Sequence, residues 1–434
     1  MATPLRVGLL GCGNVGGALV RLLAGDSQRV AARTGLELKL AAVAVRSLSR
    51  ERDVPVPAGV LTTDASSVVS DPGVDVVVEV IGGIEPARTL ILSALKSGKP
   101  VITANKELLA NCGAELFEAA ASAGLDLLFE AAVAGAIPLI RPLRESLAGE
   151  RISRVMGIVN GTTNFILTRM SESQASYHDA LAEAQSLGYA ERDPTADVEG
   201  FDAAAKAAIL ANVAFGARVV AGDVYREGIS GVTEADISVA HRLGYVVKLL
   251  AVVEHDDPGG GAPESVAVRV HPAMVPANHP LASVRDSFNA VFVEGGAVGE
   301  LMFLGRGAGG MPTASAVLGD LLDAAHNLTT GGAGRTVTLR RTAIRPIDEL
   351  RSAYYLALEV ADRPGVLHAV SGVFGEHSVS IRVMEQEMVA GDSSEARIVF
   401  VTHPALERDV QACLGELRHL DSVHHIGGFL RVVA

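Results

Sequence analysis

The chain has 434 residues, 49% of them apolar and 20% charged, a length that implies two to four domains and a balance that marks a globular protein. Its net charge of −13 argues against nucleic acid or an anionic membrane as the main partner, and the absence of Trp leaves little for base stacking. Cys12, Cys112 and Cys413 lie far apart without pairing or metal-ligand spacing, and no signal peptide opens the chain, so a reducing cytoplasm is expected.

Residues 5–10 read as a buried strand and 17–23 as a helix, joined by Gly11-Cys12-Gly13-Asn14-Val15-Gly16. Between a strand and a helix, a GxGxxG turn lets a pyrophosphate approach the helix N-terminus. The second strand, 36–45, ends at Arg46 instead of the acid that NAD-specific folds place there. Arg46 suits a 2′-phosphate, which favours NADP, and a plain surface arginine is the alternative.

Strands at 74–81 and 100–103 end in Gly82-Gly83 and Ala104-Asn105-Lys106. Ligands sit at the carboxyl ends of such strands, which makes Lys106 and the backbone groups of Gly82 and Gly83 candidates. Lys106 reads equally well as a solvated lysine opening the helix 107–123. A further strand over 125–130 ends on Glu130, before the irregular run 131–138. A carboxylate beside a run of backbone carbonyls suits a monovalent cation. By chemistry alone, an acid capping a helix N-terminus is the better reading. The stretch 131–140 is the most apolar in the chain, and it is too short and too broken by Gly135 and Pro138 to span a membrane.

A strand at 154–159 then leads into Asn160-Gly161-Thr162-Thr163-Asn164, a polar turn opening a helix. Residues 188–200 carry charges, Pro194 and glycines without periodicity, and read as a loop. From Phe201 the chain becomes an alanine-rich helix on which Asp202 and Lys206 share a face. In isolation that is a solvated loop with an ordinary ion pair. Helices are predicted near 234–253 and 313–327, and strands at 265–270, 291–294 and 300–304. Residues 257–261 form an exposed turn, and the glycine-rich loop 306–313 either closes over a cofactor or packs tightly. From about 350 a separate βαββαβ unit is expected, with strands at 354–360, 378–385, 396–402 and 422–433 and helices at 366–376 and 406–417. It contains no catalytic set.

The turn at 11–16, Thr103-Ala104-Asn105-Lys106, Asn160-Gly161-Thr162-Thr163-Asn164, and the run Gly188-Tyr189-Ala190-Glu191 through Asp197, Gly200-Phe201-Asp202 and Lys206 together resemble homoserine dehydrogenase. They occur in the family's order and span most of 1–325. The unit after 350, with Asp362-Arg363-Pro364-Gly365, resembles an ACT regulatory domain. No aspartokinase portion precedes residue 1, so the monofunctional form is expected.

The resemblance implies an α/β chain: a Rossmann-type domain at 1–133, completed by about 305–330, an α+β substrate and dimerisation domain at 134–304, and a ferredoxin-like ACT domain at 350–434. It implies reversible, NAD(P)H-dependent reduction of L-aspartate 4-semialdehyde to L-homoserine in a homodimer or homotetramer. Lys206 matches the acid/base lysine, Lys106 the second lysine, and Asp202 a partner that orients Lys206. Glu191 matches the residue holding the substrate's amino group, with Asp197 and Asp202 nearby, and Thr162 is a further substrate-binding candidate. The coenzyme, NADP(H) ahead of NAD(H), falls to Gly11, Gly13, Asn14, Val15, Gly16, Arg46, Gly82, Thr103, Lys106, Gly188 and Gly307. The Glu130 side chain and the carbonyls of Val133, Gly135 and Ile137 match a Na+ or K+ site, which raises that reading above the capping acid. L-Threonine is the expected effector of the ACT unit, and removal of 350–434 is expected to leave activity but abolish threonine sensitivity. The rival, aspartate-semialdehyde dehydrogenase, needs a nucleophilic cysteine, and none of the three lies in a loop with an evident base. A catalytically dead NADP-binding sensor is a second rival, against which the intact Lys106, Glu191, Asp202 and Lys206 stand.

Overall fold

The computed structural model describes residues 4–257, 264–334, 336–388 and 395–433. Most of the turn expected at 257–261 lies outside the described residues.

The chain opens with β1 (Leu5–Leu10), α1 (Asn14–Gly25), α2 (Ser27–Thr34), β2 (Leu38–Ala44), β3 (Leu61–Thr62) and α3 (Ala65–Ser70). There follow β4 (Val76–Glu79), α4 (Ala87–Lys96), β5 (Val101–Thr103), α5 (Lys106–Ala123) and β6 (Leu127–Leu128). The strand expected over 125–130 is thus only two residues long. The Glu130 amide bonds the Asp320 carboxylate at 2.8 Å instead of a neighbouring strand, and Glu130–Ala132 turns into a short 3-10 helix.

Next come β7 (Ile152–Ile158), α6 (Gly161–Ser173), α7 (Tyr177–Ser186), α8 (Thr195–Val198) and α9 (Phe201–Phe215). The supposed loop 188–200 therefore contains one turn of helix. After β8 (Tyr225–Arg226) and α10 (Glu234–Arg242), residues expected to continue a helix form β9 (Tyr245–Asp256) instead. Gly244, at φ +82°, ends the helix, and the valine-rich run beyond it pairs antiparallel with β10 (Ser265–Pro276) along its whole length. Four β-branched valines pack better on a pleated surface than on a helix.

Then β11 (Phe288–Gly295), β12 (Gly299–Arg306), α11 (Gly310–Thr330) and β13 (Ala343–Ile344) lead to the C-terminal part. It consists of β14 (Arg351–Ala361), α12 (Val366–Glu376), β15 (Ile381–Met388), β16 (Glu395–Thr402), β17 (Ala405–Leu406), α13 (Glu407–Leu417) and β18 (Val423–Val432). Apart from the two-residue β17, this is the expected βαββαβ order.

The elements form two units. One holds residues 1–155, 205–224 and 289–342. Its sheet is parallel, in the order β3-β2-β1-β4-β5-β6, the order of dinucleotide-binding folds. Val76, Val77 and Val78 are fully buried, as strands covered on both faces must be. From far along the chain, α11 returns to this core and places Val317 and Leu321 with Val7, Leu9 and Leu19.

The other unit holds residues 156–204, 225–288 and 343–434. Its sheet runs β9-β10-β18-β14-β16-β15. Tyr354, Leu356, Val370, Phe374, Phe400 and Leu414 form the core between β14, β16 and the helices α12 and α13. The βαββαβ part does not stand apart as the sequence suggested. β18 pairs in parallel with β10 at Ala273 opposite Arg431 and Met274 opposite Val432, and the Val433 amide bonds the Met274 carbonyl at 2.9 Å.

Candidate active site

In the first unit, the three glycines of the turn play separate parts. Gly11 has φ +100°, and a Cβ there would lie 2.8 Å from the Val80 carbonyl oxygen. At Gly16 a Cβ would lie 2.1 Å from the Gly11 carbonyl oxygen, so only glycine lets α1 start so close to β1. At Gly13 a Cβ would meet nothing within 4 Å. The open side of the turn is where a pyrophosphate approaches. Beside it lies a cavity of about 500 Å³ lined by Gly11, Gly13, Arg46, Ser47, Arg50 and Arg52. Arg46 is exposed at the end of β2. Arg50 and Arg52 gather at the same cavity, and sequence reasoning missed them because they lie in an irregular segment with no period to mark a face. Three guanidiniums fit a phosphorylated ribose.

The ends of β4 and β5 are tied together. The buried Glu79 carboxylate accepts the Thr103 hydroxyl at 2.6 Å and the Ile81 amide at 2.7 Å. The Thr103 hydroxyl is therefore committed to the protein, and Thr103 offers a ligand its backbone. Asn105 caps α5 by accepting the Leu108 amide at 3.1 Å, and its Nδ2 donates to the Gly83 carbonyl at 2.6 Å. Gly82 has φ +83° with open space beside it. Lys106 is the first residue of α5 and exposed, not a residue before the helix. Glu79 escaped sequence reading because a lone acid in a valine strand carries no motif.

The Glu130 carboxylate is 6% exposed and accepts the amides of Leu139, Ile140 (2.7 Å) and Arg141 (2.9 Å). It caps the chain there, as chemistry alone suggested. Between the acid and its donors, Ala134 and Gly135 both adopt positive φ, of 56° and 54°. Val133, Gly135 and Ile137, whose carbonyls are the expected partners of Glu130, lie buried in this irregular turn. A carboxylate with lone pairs to spare beside such carbonyls fits a monovalent cation. Among the described residues no group of three or more His, Cys, Asp or Glu could hold a metal ion. Burial pushes the nearby Asp320 carboxyl up to about 7.

The 306–313 loop packs onto both sites of this unit. The Ala136 amide bonds the Arg306 carbonyl at 3.1 Å. A Cβ at Gly307 would fall 2.0 Å from the Asn289 side chain, and one at Gly310 would fall 2.5 Å from Asn14 Oδ1. Val15 follows Asn14 in the first turn of α1.

α9 carries Asp202 and, one turn on, Lys206, which is 7% exposed. A lysine so far out of water is an unusual use of a helix face. In the second unit, Asn160 caps α6 by accepting the Thr163 amide at 2.9 Å. Its Nδ2 donates to both Asp197 (2.7 Å) and Asp202 (2.9 Å). One amide thus gathers two of the expected acids. The buried Thr162 hydroxyl donates to the Tyr189 carbonyl at 2.8 Å, which anchors the segment of Gly188 and Glu191. Gly188 has φ +76° with nothing near, and the Glu191 side chain is exposed. Arg192 and Asp193 are exposed, as loop charges should be.

The cysteines do not support acyl-transfer chemistry. Burial raises the Cys12 thiol pKa and pushes that of the fully buried Cys413 up to about 12. A poised thiolate needs the opposite shift.

The glycine turn and the strand order of the first unit point to a dinucleotide-dependent enzyme. Comparison with known proteins agrees over the whole chain. Models for the homoserine dehydrogenase NAD-binding domain, homoserine dehydrogenase and the ACT domain match residues 11–130, 138–322 and 354–420. The chain is 50% identical to homoserine dehydrogenase of Mycobacterium tuberculosis over 99% of its length and 98% of that protein's. It is 42% identical to that of Bacillus subtilis, over 99% and 98%. A crystal structure of a homoserine dehydrogenase from Thiobacillus denitrificans matches with a TM-score of 0.92 at 41% identity, covering 99% of this chain and 98% of that one. A hyperthermophilic archaeal homoserine dehydrogenase in complex with NADPH matches at 0.63 and 30%, covering 77% of this chain and 100% of that one. With relatives this similar over nearly every residue, the chain belongs to the homoserine dehydrogenase family of NAD(P)-dependent oxidoreductases, in the form that carries a C-terminal ACT domain.

Proposed function

We propose that this enzyme interconverts L-aspartate 4-semialdehyde and L-homoserine, with NADP(H) preferred over NAD(H), in the route toward threonine and methionine. The observation that carries the reading is the helix α9, with Lys206 buried one turn after Asp202 and Asp202 held by Asn160. The 11–16 turn, Arg46, Gly82, Lys106, Gly188 and Gly307 hold the nicotinamide coenzyme, which supplies the hydride when bound. The three arginines at the end of β2 support the preference for a 2′-phosphate. Charge developing on the aldehyde oxygen needs a proton and a positive neighbour. Lys206 gives both, with Asp202 orienting its ammonium, and Lys106 adds a second positive charge. Glu191 takes the substrate's ammonium, with Asp197 and Thr162 shaping the pocket. Glu130 and the carbonyls of Val133, Gly135 and Ile137 hold Na+ or K+.

Residues 1–133 with 305–330 serve the coenzyme, 134–304 the substrate and the pairing of subunits into a homodimer or homotetramer, and 350–434 regulation. L-Threonine is the effector of the ACT part. The setting is cytoplasmic, in keeping with three cysteines that are all free.

The deciding experiment follows NADPH oxidation with aspartate semialdehyde in wild type and Lys206→Ala. Loss of a general acid lowers turnover by about 10² to 10⁴-fold. A folded, coenzyme-binding variant with near-normal turnover overturns the assignment. In the same assay NADH is the weaker coenzyme, and added threonine slows the wild type. A wild type indifferent to threonine sinks the regulatory reading.

A further inference from the structure

A buried charge cluster in the second unit lies away from the residues assigned to chemistry. Arg431, on β18, has a side chain only 2% exposed. Its Nε donates to Glu407 Oε2 at 2.9 Å and its Nη2 to Glu407 Oε1 at 2.7 Å, a two-pronged grip on the start of α13. Its Nη1 and Nη2 also reach the two Glu227 oxygens, at 2.8 and 3.1 Å. Tyr354 on β14 donates its hydroxyl to Glu407 at 2.9 Å, and Tyr225 donates to Glu227. One arginine from the ACT part thus joins a carboxylate of its own domain to one just after β8. The positive charge stays, because burial, which lowers an arginine's pKa, is outweighed here by the two carboxylates.

Glu227 sits inside a short segment that wraps the start of α9. The Arg226 guanidinium stacks 3.6 Å over the Phe201 ring, the first residue of α9. A Cβ on Gly228 would fall 2.4 Å from the Val198 carbonyl oxygen, so the two backbones touch. The Ile229 amide bonds that same carbonyl at 2.8 Å, and the Ser230 hydroxyl bonds Glu199 at 2.7 Å. Gly200 packs against Val270, Arg226 and the Glu227 carbonyl. Every residue of the wrap from 226 to 230 therefore bears on 198–201, the link between Asp197 and Asp202.

We propose that Arg431 is a positioning residue for substrate binding, acting from the ACT strand β18 through Glu227 on the segment 226–230, and hence on the start of α9. Replacing Glu227 leaves the buried guanidinium with Glu407 alone, and replacing Arg431 leaves Glu227 with only Tyr225, so either change loosens the wrap before it touches any group that meets substrate. Displacement of β18 reaches the segment 198–201 by the same contacts. The inference rests on the reading that 191–202 binds substrate.

The test uses the full-length enzyme, with Glu227→Gln, which keeps shape and one hydrogen bond, and Arg431→Met. Amide hydrogen exchange over 197–204 is expected to speed by about tenfold or more in Glu227→Gln, with β1 and β4 unchanged. The KM for homoserine is expected to rise about tenfold while KM for the coenzyme holds. Unchanged exchange over 197–204 in a folded Glu227→Gln overturns the proposal, even if the melting temperature falls. Faster exchange with an unchanged homoserine KM leaves the coupling standing and refutes the substrate role of 191–202 instead. Should Arg431→Met fail to fold, Glu227→Gln alone decides.

Discussion

Gly13 and Gly16 share a motif and differ in what surrounds them, so alanine at each should fail differently. At position 16 the new methyl meets backbone 2.1 Å away, which no rotamer relieves. Gly16→Ala should cost about 3 kcal/mol or more of stability, read as a lower melting temperature without coenzyme. At position 13 the methyl enters open space. Gly13→Ala should melt like wild type yet lose most of the stabilisation that added NADPH gives, because it fills the side where phosphate approaches. Undiminished stabilisation of Gly13→Ala by NADPH would show that the gap at Gly13 is not a ligand's. Arg46→Ala should raise KM for NADPH about tenfold and leave NADH nearly untouched, a comparison that steady-state kinetics settles. At this scale the sequence was legible where spacing is local. The glycine turn and Arg46 each sit within a few residues of a strand end. Glu79 and Arg431 were not legible, since what gives each its role lies 24 and about 200 residues away along the chain, on Thr103 and Glu227.

Among the elements, α6 shows how a helix start becomes an anchor. Asn160 faces the acids, while Asn164, one turn on, donates to the Asp286 carbonyl at 2.9 Å and accepts from Lys248 at 3.0 Å. Lys248 is 2% exposed on β9, and burial lowers its pKa to about 8. The unfolded chain then holds more protons than the folded one between about 8 and the ordinary value of 10.5. Stability from this group therefore rises with pH across that window, and the burial cost is fully present below pH 8. The two limits differ by about 3 kcal/mol. In Lys248→Met that rise disappears, so denaturant melts of the two proteins should converge toward pH 10. Parallel curves would mean that Lys248 titrates normally. The helix expected near 234–253 failed at this scale because α10 and β9 are separated by one positive-φ glycine, and an apolar run alone does not say which period it follows. The Ala-rich α9 and the places where α5 and α6 open were read correctly, because propensity and turn chemistry are local.

In the molecule as a whole, the ACT part is stitched in rather than appended. β18 completes the pairing of β10, and Asp236 of α10 bonds the Tyr355 hydroxyl at 2.8 Å and Arg397 at 3.3 Å. Removing 350–434 would unpair β10 at Ala273 and Met274 and strand two acids, Asp236 and Glu227, without their partners in the ACT part. The truncated chain is expected to aggregate rather than to survive as an unregulated enzyme. A soluble truncation of wild-type activity would refute this. The βαββαβ order itself was plain from alternating apolar runs, whereas its seam was not, because sheet pairing between distant strands leaves no periodic trace.

That seam bears on exchange between relatives. A regulatory domain joined by a linker can be traded as a cassette, with its junction the only requirement. Here the junction is a strand, two acids and the arginine that reads one of them. A chimera that imports a foreign C-terminal part must also import, or happen to share, the matching residues at positions 227 and 236, so inheritance across this border is expected to be joint.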